Sequence, residues 1–147
     1  MTTAEDLRAI HVDQFLAHPP AKVWRALTEP EHLNKWLMPG DFRPEVGHTF
    51  TFQGTPVEAA EFSGTVYCEV LEIEKERLIK LSWDDGSRLG WTVTWRLEPE
   101  GRGTRLFLDH EGFDPDDPRQ QVSRKIMGGG WRSMHMRAIE KVLAEMG

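Results

Sequence analysis

The sequence predicts an α+β fold, a curved antiparallel sheet wrapped around one long C-terminal helix, with two short helices after the first strand. Three observations predict it. Apolar residues recur at helical spacing through Val122, Ile126, Met127, Trp131, Met134, Ala138, Val142 and Met146. Most of residues 49–111 alternate apolar with polar between tight turns, the signature of half-buried strands. A sheet with one apolar face needs a cover, and the terminal helix is long enough to supply it.

The elements follow in order. Ile10, Val12, Gln14 and Leu16 alternate with His11, Asp13, Phe15 and Ala17, giving a first strand. Pro19-Pro20 ends it and pre-sets the backbone for a helix over 21–27, whose apolar stripe is Val23, Trp24 and Leu27. Thr28 and Glu31 have the spacing of a capping box, which opens a second helix over 31–37 carrying Leu33, Trp36 and Leu37. Pro39-Gly40 closes it. Strands are then expected over 49–52, 57–62, 64–74, 78–83, 89–97 and 104–111. Gly54-Thr55-Pro56 and Asp85-Gly86 mark hairpins, so neighbouring strands run antiparallel. Trp91, Val93, Trp95 and Leu97 share one strand face, and Thr92, Thr94, Arg96 and Glu98 the other. An acidic, proline-bearing lead-in over 114–118 suits the N-terminus of the last helix, expected over 117–147.

Composition narrows the function. The chain has 147 residues, with 39% hydrophobic and 29% charged, which fits one globular domain over 1–147. A net charge of −6 with scattered Lys and Arg argues against a nucleic-acid partner. No apolar run reaches the roughly 20 residues of a membrane span, and no signal peptide opens the chain, so a cytoplasmic location is expected. Cys68 is the one cysteine and falls in an alternating strand, where it reads as a buried filler rather than a nucleophile. The six histidines show no HxxxH, HxH or HExxH spacing, so no metal and no cofactor is expected.

One feature of the last helix is unusual for a soluble helix. Gly128, Gly129 and Gly130 stand together directly before Trp131. Each costs a helix about 1 kcal/mol relative to alanine. Close approach of another backbone, a kink, or open space beside the indole would each account for them.

Several segments together resemble a known family. They are residues 20–28 (Pro20, Val23, Trp24, Leu27, Thr28), Pro30-Glu31-His32-Leu33 with Trp36, and Gly64-Thr65-Val66 leading into Val70-Leu71-Glu72-Ile73. Leu78 with Trp83, Thr104-Arg105-Leu106, His110-Glu111-Gly112-Phe113 and Gly129-Gly130-Trp131 complete the set. In this order they resemble the START-like (SRPBCC, Bet v-like) helix-grip superfamily. More narrowly, they look like its bacterial branch related to the C-terminal domain of the activator of the ninety-kilodalton heat-shock chaperone's ATPase. The resemblance covers nearly the whole chain from Ile10. It implies a sheet gripping the terminal helix with a cavity between them, where members bind apolar small molecules and some catalyse cyclisation or hydrolysis. The chaperone activator carries a further N-terminal domain; nine residues precede Ile10, so that domain is expected to be absent.

The expected lining of such a cavity is Trp36, Phe62, Trp83, Trp95, Phe113, Met127, Trp131 and Met134. Flat rings and adaptable thioethers suit an apolar or aromatic guest; simple core filling is the alternative. His110 and Glu111 lie on opposite strand faces, so one of them points inward, and His135 follows Trp131 by four residues and shares its side of the helix. Either histidine could contact a ligand or serve as a general base. Asp84 and Asp85 sit at a turn and are expected to face water; Arg105 and Arg132 could pair with an anionic ligand head-group, but surface placement is the expectation. The leading reading is binding of a hydrophobic or aromatic small molecule without catalysis. The alternatives are a chaperone-interacting module and a cyclase or hydrolase using His110 or His135. Exposed edge strands leave a homodimer open.

Overall fold

Six antiparallel strands form one sheet in the order β1-β6-β5-β4-β3-β2 in the computed structural model, which describes residues 7–58, 62–86 and 89–146. The strands are β1 (Ala9–Leu16), β2 (Thr49–Gln53), β3 (Thr65–Glu74), β4 (Leu78–Trp83), β5 (Trp91–Glu100) and β6 (Gly103–Glu111). Between β1 and β2 run α1 (Pro20–Thr28) and α2 (Pro30–Trp36). The C-terminal helix is α3 (Pro118–Gly129), a π-helical segment (Gly130–His135) and α4 (Met136–Glu145) in succession. This is the curved sheet and long terminal helix of the helix-grip architecture. A register shift between Val70 and Glu72 in β3 interrupts the ladder to β4, and such irregularities bend a strand and raise its twist.

Local chemistry explains the helix starts. Pro20, Pro30 and Pro118 each sit in the first turn, where a missing N–H loses nothing. Asp117 caps α3 by accepting the amide of Arg119 at 3.0 Å. The capping box expected at Thr28 does not form. Thr28 is still helical, and its hydroxyl donates back to the Trp24 carbonyl at 2.8 Å. Glu29 takes the cap position instead, with no side-chain cap bond.

The core lies between the sheet's concave face and the helices. Trp91, Val93, Trp95 and Leu97 of β5 are all buried, as alternation predicts, and Leu106, Leu108 and His110 of β6 lie beside them. Ile139, Val142 and Leu143 of α4 close the layer from the helix side. Cys68 is buried in β3.

Three further sequence expectations need correction. The strand expected over 57–62 is not the partner of β2. β2 pairs with β3, while Val57 and Phe62 form an isolated bridge that closes a short loop, of which residues 59–61 lie outside the described set. The apolar stripe of the last helix is not continuous: Val122 and Ile126 stay 38% and 42% exposed, whereas Ser123, Arg124 and Gly128 are buried. The π segment has the wider i→i+5 turn, so a 3.6-residue phase carried through it rotates off the buried face. Asp85 does not simply face water, since its carboxylate meets Arg119 at 2.6 Å.

Candidate functional site

The π segment builds one wall of a cleft. A π turn holds more residues than an α turn, so Trp131 and His135, four apart, stay on one side of it. Their rings lie 4.9 Å apart between centroids. Opposite them stand Trp83 from the end of β4 and Trp91 from the start of β5, directly paired across the two strands. Phe62 and Val57 arrive from the closed loop, and Leu37, Met38 and Pro39 from the segment after α2. Gln53, Gly54, Thr55, Val66, Asp85, Ser123, Ile126, Met127 and Gly130 complete the lining. The volume of the cleft is about 520 Å³.

The expected site residues divide into two sets. Phe62, Trp83, Met127, Trp131 and His135 border the cleft. Trp36, Trp95, His110 and Phe113 are packed into the core and do not reach it. Trp36 donates its indole N–H to the Ala26 carbonyl at 2.7 Å and meets Trp95 edge-on at 6.2 Å. Phe113 lies on Trp91 at 4.5 Å and on His110 at 4.8 Å. Trp36, Trp95 and Phe113 fell in the same aromatic pattern as the lining residues, and alternation tells inward from outward but not wall from filler. The side chain of Met134 lies outside the described set.

His110 is fully buried behind the wall, ringed by Trp83, Trp91, Phe113 and Trp131. The indole N–H of Trp131 donates to its Nδ1 at 3.2 Å. An indole nitrogen only donates, so Nδ1 holds a lone pair and the ring proton sits on Nε2. That Nε2 has no hydrogen-bond partner among the described residues, and neither have the indole nitrogens of Trp83 and Trp95. Burial pushes the imidazole down to about 3, so the ring stays neutral. Sealed from the cleft, His110 is not placed to act as a base on a ligand.

His135 differs in both respects. It borders the cleft, and its Nδ1 lies 3.1 Å from the Trp36 carbonyl. Burial holds its pKa below the ordinary imidazole value, partly opposed by that hydrogen bond.

The three glycines have separate surroundings. A Cβ at Gly128 would meet Nη1 of Arg132 at 3.1 Å and Ile10 of β1 at 3.9 Å; at Gly129 and Gly130 it would meet nothing within 4 Å. Gly130 borders the cleft, so the absent side chain there leaves open space beside Trp131. Away from the cleft, Glu29, Glu31 and His32 each bring one ligand atom within 4.8 Å of the others. His32 Nε2 lies 3.2 Å from the Glu29 carboxylate at a helix N-terminus, where the dipole opposes a cation.

With this geometry the chain can be set beside known proteins. The family model described as activator of Hsp90 ATPase homolog 1-like protein matches residues 17–144. The chain belongs to this family. An activator-homolog-like domain of this shape has solved relatives. Protein MLL2253 from Mesorhizobium loti is 31% identical over 95% of this chain and 99% of its own, with a TM-score of 0.82. CalU16 from Micromonospora echinospora is 27% identical over 94% of this chain and 78% of its own, with a TM-score of 0.72. DynU16, described as a putative protein in the dynemicin biosynthetic locus, is 19% identical over 95% of this chain and 48% of its own. Its TM-score of 0.76 shows the shared fold. No functionally curated protein matches the chain.

Within the activator-homolog-like domain, sequence reasoning missed part of the wall. Trp91 had a usable signal, because it shares a strand face with Trp95 and follows the Asp85-Gly86 turn that returns β5 toward Trp83. Met38, Pro39, Gly54 and Thr55 had none; they sit in segments that read only as turns. Among the described residues, no helix is long and apolar enough to cross a membrane.

Proposed function

We propose that this domain binds an apolar or aromatic small molecule in the cleft between the sheet and the C-terminal helix. One observation carries the reading: a concavity of about 520 Å³ walled by Phe62, Trp83, Trp91 and Trp131, with Met38 and Met127 beside them. Small-molecule sites run from roughly 300 to 1,000 Å³ and are mostly apolar with a few placed polar groups. Gln53, Thr55, Ser123 and His135 are such groups here. Catalysis is not required by the arrangement.

The test is a panel of fatty acids, flavonoids and polyketide-like aromatics followed by tryptophan fluorescence and melting temperature. Trp83, Trp91 and Trp131 are three of the six tryptophans, so an occupant changes the emission. A ligand at a hundred times its Kd adds about 2.7 kcal/mol of stability, a readily measured rise in Tm. Silence in both readouts across the panel contradicts the proposal.

The family match favours a second reading, contact with a chaperone of the Hsp90 class. It requires the domain to alter that chaperone's ATP turnover on titration; a flat titration removes it.

A further inference from the structure

The polar groups of the cleft narrow the chemistry of its occupant. His135 Nδ1 faces the Trp36 carbonyl at 3.1 Å. A carbonyl oxygen only accepts, so Nδ1 carries the ring proton and Nε2 holds a lone pair. No described residue is bonded to Nε2. Desolvation keeps this ring uncharged near neutral pH, so His135 presents an acceptor and not a cation. Its tilt against Trp131 fixes the ring plane.

The charges point the same way. The described residues lining the cleft include no Lys or Arg, and their one ionisable acid is Asp85, which is held by Arg119 at 2.6 Å. A carboxylate or phosphate entering the cleft would lose its hydration with no lining cation to receive it. The walls are indoles, a phenyl ring and thioethers, which favour a flat, polarisable guest.

We infer that the cleft takes an uncharged hydroxyarene, laid against Trp131 and donating its hydroxyl proton to Nε2 of His135. This rests on the small-molecule reading of the cleft and specifies the ligand class. Fatty acids and other organic anions are then poor occupants.

The experiment titrates the full chain at pH 7 with 2-naphthol, 2-methoxynaphthalene and 2-naphthoate, by calorimetry and tryptophan fluorescence. The first two share a ring system and differ in the donor; the third carries a negative charge. The naphthol is expected to bind about tenfold more tightly than the ether, the factor one net hydrogen bond supplies. The naphthoate is expected to be the weakest. His135→Phe keeps a ring beside Trp131 and removes the acceptor, and should close the gap between naphthol and ether. Equal affinity of these two for the unaltered protein overturns the His135 pairing and leaves the cleft as an apolar binding site. Tightest binding of the naphthoate overturns the uncharged class. No binding by any of the three overturns the inference and the reading beneath it together. The comparison on the unaltered protein decides the matter even if the variant does not fold.

Discussion

The indole N–H of Trp131 and Nδ1 of His110 are joined at 3.2 Å, both residues buried, and the bond ties the π segment to strand β6. Trp131 thus has two duties, since it lines the cleft, although buried, and makes one hydrogen bond into the core. Trp131→Phe should lower stability by about 1–3 kcal/mol, because it leaves a buried acceptor without a donor. His110→Leu leaves the indole N–H stranded and should cost a similar amount. The double variant should lose less than the sum of the two, with a coupling of about 1 kcal/mol in a urea-denaturation cycle. Strict additivity would mean the bond contributes nothing to the fold.

Acid should weaken the protein through the same histidine. Unfolded His110 titrates near 6.5, whereas burial pushes it down to about 3 in the fold. Between those values the unfolded chain holds a proton that the native ring lacks. Stability is therefore fully present above 6.5 and is lost as pH falls toward 3. The slope approaches about 1.4 kcal/mol per pH unit for one such group. His135 is shifted in the same direction and adds to the loss below 6.5. Urea midpoints from pH 7.5 down to pH 4.5 check this. His110→Leu, which has no ring to protonate, should give a visibly flatter profile than the parent; parallel profiles would refute the assignment.

The fold was legible because its signals are local and repeated. Trp91, Val93, Trp95 and Leu97 announced a one-sided strand, and Asp85-Gly86 announced the turn before it. The cleft was only half legible. Trp36 and Trp95 are indoles as deeply buried as Trp83 and Trp131, yet only the second pair lines the cleft. That distinction depends on where the helix axis passes over the sheet, which no periodicity encodes. The three glycines did mark the place where the helix departs from α geometry, but not the sense of the change. The widened turn shifts the phase between α3 and α4, so the pattern that runs through Val142 does not extend back to Val122 and Ile126, which lie exposed.

The glycines separate into two tests. Gly129 and Gly130 both have ordinary helical backbone angles and nothing within 4 Å of a new Cβ. Gly129→Ala should raise stability by about 0.5–1 kcal/mol through the unfolded chain's lost freedom. Gly130→Ala should stabilise by a similar amount while placing a methyl in the cleft, so it alone should alter ligand affinity. Thermal melts with and without ligand separate the two effects. Destabilisation by Gly129→Ala would show that the glycine run is needed for the π turn itself.

Cys68 offers a probe of opening that leaves the cleft untouched. Its thiol lies inside the sheet on β3, 4% exposed, between the edge strand β2 and strand β4. Burial pushes the thiol's pKa far up, so almost no thiolate exists to react at neutral pH. Reaction with a disulfide reagent such as Ellman's must then wait for β2 or the whole sheet to open. With an opening free energy of about 4–5 kcal/mol, modification should run roughly a thousandfold slower than in urea. A ligand that grips the cleft between Val66, Trp83 and Trp131 holds β3 and β4 together and should slow the thiol further in proportion to its occupancy. Rapid labelling of the native protein would place the thiol at the surface, and labelling indifferent to a bound ligand would show that β2 opens alone, independently of the cleft.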